Sequence, residues 1–222
     1  MTAPTPSAGR LEVADVATAV IDTGTPEGAA APPALLLHGS GPGVTAIANW
    51  RAVIPALAAD RRVVAPDQLG FGGTATGERR TYGRTAWTDH ALALLDTLGI
   101  GTVDIVGNSM GGAIGLSIAA ARPQAVRRLV LMGSVGVAMA LPPGLDRVWG
   151  YTPGIEQMRQ VIALFAHNRD LVTDELVELC YRRASARPCG TRGRRCSPSR
   201  GNAGWTTWRC PAPNWRRSRH RS

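Results

Sequence analysis

The sequence predicts an α/β protein built on a doubly wound, mostly parallel sheet, and three observations carry that expectation. Short apolar runs of the kind buried on both faces recur at residues 34–37, 62–65, 103–106 and 129–132. Between them lie stretches whose apolar residues fall at helical spacing. Strand and helix signals alternate without repeats from Ala34 to Met132, the pattern of a sheet covered on both sides.

Taken in order, residues 11–21 alternate loosely and fit one or two edge strands, followed by the turn-rich segment TGTPEGAAAPP. The run ALLL then stops in a glycine-rich loop, HGSGPG, at residues 38–43. Residues 49–59 predict a helix with Trp50, Val53, Ile54 and Leu57 on its apolar side. Residues 62–65 predict a buried strand entering the turn PDQLGFGGT. Residues 85–98 predict a helix that carries Trp87, Ala91, Leu94, Leu95 and Leu98 on or near one face. A strand at 103–106, a small-residue helix at 111–121 closed by Arg122-Pro123, and a strand at 129–132 complete the alternation. After Gly133 the pattern changes. Residues 140–179 read as helices without intervening strands, among them 155–165 and 174–179, and predict a cap over the sheet's C-terminal edge. The expected organisation is a core at 1–137 with equivalents of six strands, a partial helical cap at 138–179, and a tail at 180–222.

Charge separates that tail from the rest. The formal net charge is +9, yet residues 1–179 carry 13 arginines against 16 acids, while residues 180–222 carry 12 arginines and no acid. All four cysteines also lie in the tail, so no disulfide framework holds the body together. The tail has no C-x-x-C pair and no histidine at ligand spacing, so no metal site is expected. It contains no Ile, Leu, Val, Met or Phe, too little aliphatic surface for a core strand, and is expected to be disordered. The N-terminal MTAPTPSAGR has neither the basic start nor the apolar stretch of a signal peptide, and no apolar run is long enough to span a bilayer. A cytoplasmic protein without membrane contact is expected.

The chemistry concentrates at VDIVGNSMGG, residues 103–112. This is G-x-S-x-G between a buried strand and a small-residue helix, the context of a nucleophile elbow. The tight turn forces Ser109 into a strained conformation that exposes its hydroxyl. Gly107 and Gly111 are required because side chains there would strike neighbouring elements. The helix N-terminus offers free N–H groups to an oxyanion. A dinucleotide fingerprint is excluded because Ser109 stands where the middle glycine of G-x-G-x-x-G should be. A phosphate-binding P-loop is excluded because the chain has no lysine. The loop at 38–43 donates the second oxyanion N–H, beside that of Met110. His38 opens this loop and comes before the nucleophile in chain order, so it is read as structural.

The combination LLLHGSGPG…NW, APDQLGFGGT, LDTLGI, GNSMGGA and RRLVLMG resembles the meta-cleavage product hydrolases, α/β-hydrolases that cleave a carbon–carbon bond in ring-fission products of aromatic catabolism. The resemblance covers roughly residues 10–180. It implies an α/β-hydrolase fold, a small-molecule substrate, and no cofactor or metal. Carried over by motif, Ser109 is the nucleophile and Ser40 and Met110 are the oxyanion donors. Gly41, Asn49 and Asn108 line the substrate's polar dienoate end. An Asn serving only to hold loops is the plainer reading of Asn49 and Asn108.

The pattern breaks after the strand at 129–132. The family expects an aspartate after the next core strand and a histidine after the last, and neither strand is present, so the fold lacks its last core strands. The later histidines are His167 in the cap and His220 in the tail, and Asp146, Asp170 and Asp174 fall at cap positions. Ungapped counting puts Cys180 where the family has a substrate-binding arginine, with Arg182 or Arg183 as shifted substitutes. The loss of acids and aliphatics beside a surge of Arg, Cys, Trp and Pro reads as GC-rich coding sequence out of phase, a frameshift near 180–190. Three functional readings follow: a carbon–carbon bond hydrolase inactive as this chain stands, another serine carboxylesterase or lipase, and a non-enzymatic protein whose Arg/Trp tail binds nucleic acid. The last has no other nucleic-acid feature behind it. Self-association is compatible with all three.

Overall fold

The computed structural model describes residues 7–74, 81–137, 142–185, 197–198 and 208–209. The chain enters as a hairpin, β1 (Ser7–Val13) and β2 (Val16–Asp22), paired from Val13↔Val16 outward. Ala14 and Asp15 take φ of 47° and 62°, the two positive values that a tight turn matched to strand twist requires. Then follow β3 (Ala34–Leu37), α1 (Ala46–Trp50), α2 (Ile54–Leu57), β4 (Val63–Pro66), a two-residue β5 (Thr81–Tyr82), α3 (Arg84–Thr97), β6 (Val103–Asn108), α4 (Met110–Ala121) and β7 (Val126–Met132). The main sheet has six strands in the order β1-β2-β4-β3-β6-β7. The hairpin is antiparallel to β4, and β4, β3, β6 and β7 run parallel.

Period-two alternation sends each strand's side chains to two separate cores. Leu35, Leu37 and Ile105 join Trp87, Leu94 and Leu95 of α3 and Ile114 and Ile118 of α4 on one face. Ala34 and Leu36 join Trp50, Ile54 and Ala65 on the other. Every residue of β3 and β4 is buried, which explains why both read as unbroken apolar runs. The single helix expected at 49–59 is instead two short ones, because Pro55 stands in the first turn of α2 and cannot continue α1's hydrogen bonding.

Beyond β7 come α5 (Pro143–Trp149), α6 (Ile155–Phe165) and α7 (Asp174–Ser185), with no strand among the described residues from 133 to 185. Val148, Trp149 and Val161 make their small core, and Arg159 joins α6 to α7 through Asp174 at 2.6 Å. The tail expected to be disordered from residue 180 needs correcting at its start. Cys180–Ser185 continues α7, held by the half-buried Cys180 and by close packing of Ala184 on the loop at Gly43. Two-residue strands at Ser197–Pro198 and Trp208–Arg209 pair with each other, and the second pairs with β5. The rest of the expected disorder lies outside the described residues.

Candidate active site

The candidate site stands at the C-terminal ends of β3 and β6, the edge where parallel sheets place their ligands. Between β6 and α4 the chain reverses within one residue. Ser109 adopts φ 52° and ψ −113°, a conformation that costs a non-glycine residue about 1–3 kcal/mol. Its backbone is pinned from several sides: its N–H donates to the Met132 carbonyl at 2.9 Å, and its carbonyl accepts from the N–H groups of Gly112 and Val135.

Close approach explains the glycines. A Cβ on Gly107 would sit 2.5 Å from the Cα and N of Gly112. One on Gly111 would collide with the Leu37 carbonyl, and one on Gly112 with the Ser134 hydroxyl. The hydroxyl of Ser134 donates back to the Gly107 carbonyl at 3.3 Å. The strand, the turn and the small-residue helix are therefore pressed together, and Ser109 stays half-buried at the bend.

The glycine loop lies against the bend. A Cβ on Gly39 would be 3.2 Å from the Ser109 Cβ. His38 anchors the loop from below. It is fully buried, its Nδ1 pairs with the Gly39 carbonyl at 2.7 Å, and its Nε2 accepts from the Gln68 N–H at 2.9 Å. Because Nε2 must accept, Nδ1 carries the proton and the ring is neutral. Burial pushes its pKa below the usual histidine value, against the raising influence of the Gly39 carbonyl and Asp67. The Gln68 side-chain amide also donates to the His38 carbonyl, and Phe71 meets the ring edge-on at 5.5 Å. Asp67 holds the next layer, accepting from the N–H groups of Ala46 and Gly73.

The residues read from sequence gather here. Met110 is buried as the first residue of α4. Gly41 has open space where a Cβ would project. Asn49 and Asn108 meet each other: Oδ1 of Asn49 accepts from Asn108 Nδ2 at 2.9 Å and from the Gly39 N–H at 3.3 Å. Both thus tie the glycine loop to the elbow. Ser40 has a partner that the sequence did not suggest, since its hydroxyl accepts from the indole N–H of Trp149 in the cap at 3.1 Å. The cap also reaches the loop through α7, whose Ala184 nitrogen would lie 2.9 Å from a Cβ on Gly43.

The described residues contain three histidines, and each is otherwise placed. His38 is committed as above, His90 pairs with the Thr18 hydroxyl at 2.9 Å, and His167 is exposed after α6. His220 lies outside the described residues. Of the cap acids, Asp146 and Asp174 sit in first turns of helices, Asp174 being paired with Arg159, and the Asp170 N–H is capped by Asn168. Arg182 turns along α7 toward Glu178, whereas the Arg183 backbone lies against Gly43. Burial raises the Cys180 thiol pKa, against the lowering influence of Arg183 and Arg51. Among the described residues no group of three or more His, Cys, Asp or Glu could hold a metal ion. Nor is any of their helices long and apolar enough to cross a membrane.

Comparison with known proteins agrees with this geometry. The family model described as alpha/beta hydrolase fold matches residues 33–216. A 2-hydroxymuconate semialdehyde hydrolase of Pseudomonas sp. (strain CF600) is 50% identical over 190 residues, covering 85% of this chain and 65% of the relative. A 2-hydroxy-6-oxo-2,4-heptadienoate hydrolase of Pseudomonas putida (strain F1) is 52% identical over 168 residues, covering 76% of this chain and 60% of the relative. Among solved structures, a meta-cleavage product hydrolase from Pseudomonas fluorescens IP01 superposes with a TM-score of 0.76 at 44% identity, covering 81% of this chain and 64% of that one. The chain thus spans less than two thirds of the length of each of these relatives. It belongs to the α/β-hydrolase fold family, and within that family its kinship is with the meta-cleavage product hydrolases.

Proposed function

We propose that this chain carries the nucleophile and oxyanion half of a serine hydrolase that cleaves carbon–carbon bonds in 2-hydroxy-6-oxo-dienoates, the ring-fission products of aromatic compounds. The observation that carries the reading is the strained Ser109 at the bend, with Gly39 of the glycine loop packed against it. The kinship with hydrolases named for such substrates supports the substrate class. The N–H groups of Ser40 and Met110 are the oxyanion donors. Gly41, Asn49 and Asn108 border the dienoate's polar end, with the amide-to-amide contact of the two asparagines setting the width of the loop. The core spans 1–137, the cap begins at 138 and continues through α7 to Ser185, and the protein works in the cytoplasm.

The reaction is acyl transfer on a vinylogous diketone. The dienol shifts to its keto form, and the Ser109 oxygen attacks the distal carbonyl to give an oxyanion held by the two N–H groups. The carbon–carbon bond then breaks, its electron pair leaving on a stabilised carbanion that must be protonated, and water releases the acyl group. A base must take the serine proton and return it to that carbon. Among the described residues each histidine is otherwise placed, and we read the residues after the cap as out of phase by a frameshift near 180–190. This chain alone therefore keeps only about a thousandfold of oxyanion-based catalysis over water.

Turnover of a ring-fission dienol, read from loss of its absorbance band, tests this on the chain and on a version with the frame restored near residue 180. The restored chain should exceed the present one by about a thousandfold or more, with Ser109→Ala abolishing the gain. If both alternative frames lack a strand followed by Asp and a Gly-His segment, the frameshift is wrong. If the restored chain prefers a simple aryl ester, it is a carboxylesterase instead.

A further inference from the structure

The cap grips the glycine loop at two points. The loop starts tied to the core, where the Gly39 N–H donates to Asn49, and it ends on Thr45, whose hydroxyl caps α1 by accepting from the Ala48 N–H. Between these ends, two different cap helices reach it. Trp149, the last residue of α5, is buried with Val148 and Val161 in the cap's own core, and its indole N–H extends to the Ser40 hydroxyl at 3.1 Å. Gly43 takes φ 70°, and α7 comes so near that an added Cβ would stand 2.9 Å from the Ala184 nitrogen. Glycine permits both that conformation and that approach. The two contacts come from residues far apart in the chain, yet both land within residues 40–43.

We propose that Trp149 is a positioning residue for the oxyanion hole: its indole N–H fixes the Ser40 hydroxyl, and through it the direction of the Ser40 backbone N–H. This rests on the reading of Ser40 as an oxyanion donor. The hydroxyl and the N–H hang from one Cα, so a hydroxyl held in place limits how far the Ser40 peptide can rock. A donor aimed beforehand stabilises a developing oxyanion without reorganising at the moment of reaction. The anchor is firm, because the indole is clustered with Val161 of α6. The loop needs such an anchor, since at Gly41 nothing stands within 4 Å of where a side chain would begin. Seating of the cap then sets the reactivity of Ser109 through the loop. Losing the contact forfeits the ordering that one neutral hydrogen bond supplies, about threefold to tenfold in rate.

The test is the rate at which a fluorophosphonate labels Ser109 of the full chain, with imidazole as external base and peptide mass mapping as the readout. Trp149→Phe keeps an aromatic ring in the cap core but removes the donor, and Ser40→Ala removes the acceptor while keeping the backbone N–H. Each should slow labelling of Ser109 by about threefold to tenfold, and the double variant should be no slower than the slower single one. A tryptophan that only packs the cap would lower the urea midpoint without this coupling. Far-UV circular dichroism checks folding, and if Trp149→Phe does not fold, Ser40→Ala alone decides. Unslowed labelling of Ser109 in the single variants, or losses that multiply in the double one, overturns the inference alone. Labelling of the parent elsewhere than at Ser109 overturns the inference together with the reading it rests on.

Discussion

Replacing Gly107 by alanine should destabilise the fold far more than its single methyl group suggests. The new Cβ would stand 2.5 Å from the Cα and N of Gly112, whereas carbon atoms in contact prefer about 3.5–4.0 Å. Relief requires a backbone shift of about 1 Å, since no flexible side-chain end is there to yield. Neither side gives readily. β6 is locked between β3 and β7, and Gly112 is tied by its N–H to the Ser109 carbonyl at 3.0 Å. We therefore expect a loss of about 3 kcal/mol, the upper end of the overpacking range. For a chain of 222 residues that lowers Tm by about 6–12 °C. Gly41→Ala is the matched control, because a Cβ there meets nothing within 4 Å and should cost no more than about 0.5 kcal/mol. Urea unfolding followed by tryptophan fluorescence and circular dichroism, with m compared between variants, measures both. A Gly107→Ala loss under about 0.5 kcal/mol, or equal losses at the two glycines, would refute the packing argument.

Two further outcomes follow from the same geometry. Ser109→Gly should be more stable than Ser109→Ala by about 1–2 kcal/mol in the same unfolding assay, because glycine relieves the positive φ that alanine keeps, and equal stabilities would remove the strain from the account. Acid should weaken the fold through His38, whose folded pKa lies below its unfolded value, so the unfolded chain binds the extra proton. The stability this group holds is complete above the unfolded pKa of about 6.5 and declines below it by at most about 1.4 kcal/mol per pH unit. His38→Gln, measured against the parent at several pH values, should be less stable at neutral pH and show a flatter decline, and an unchanged slope would contradict the neutral ring.

The core was legible because its determinants are local. Ala34–Leu37 is apolar at every position since both faces are covered, and Gly107 and Gly111 are glycines because atoms of Gly112 and Leu37 occupy the space. What escaped depends on distance along the chain or on one backbone detail. The Trp149 contact with Ser40 joins residues 109 apart, and no local pattern encodes it. Pro55 could have revealed the break between α1 and α2, but the apolar spacing ran through it. The end of α7 is hidden because the loss of aliphatic residues from 180 onward reads as loss of structure. Arginine and alanine are good helix formers, and one packed Ala184 beside Gly43 suffices to carry the helix to Ser185.

The most direct measurement asks which serine reacts. The chain is exposed to a fluorophosphonate with imidazole added as an external base, and the modified position is followed over time by peptide mass mapping. The folded protein should be phosphonylated first at Ser109, at a rate that imidazole raises and urea abolishes. Labelling spread over other serines such as Ser40 and Ser134, or equally fast on the unfolded chain, would mean that the bend presents no nucleophile.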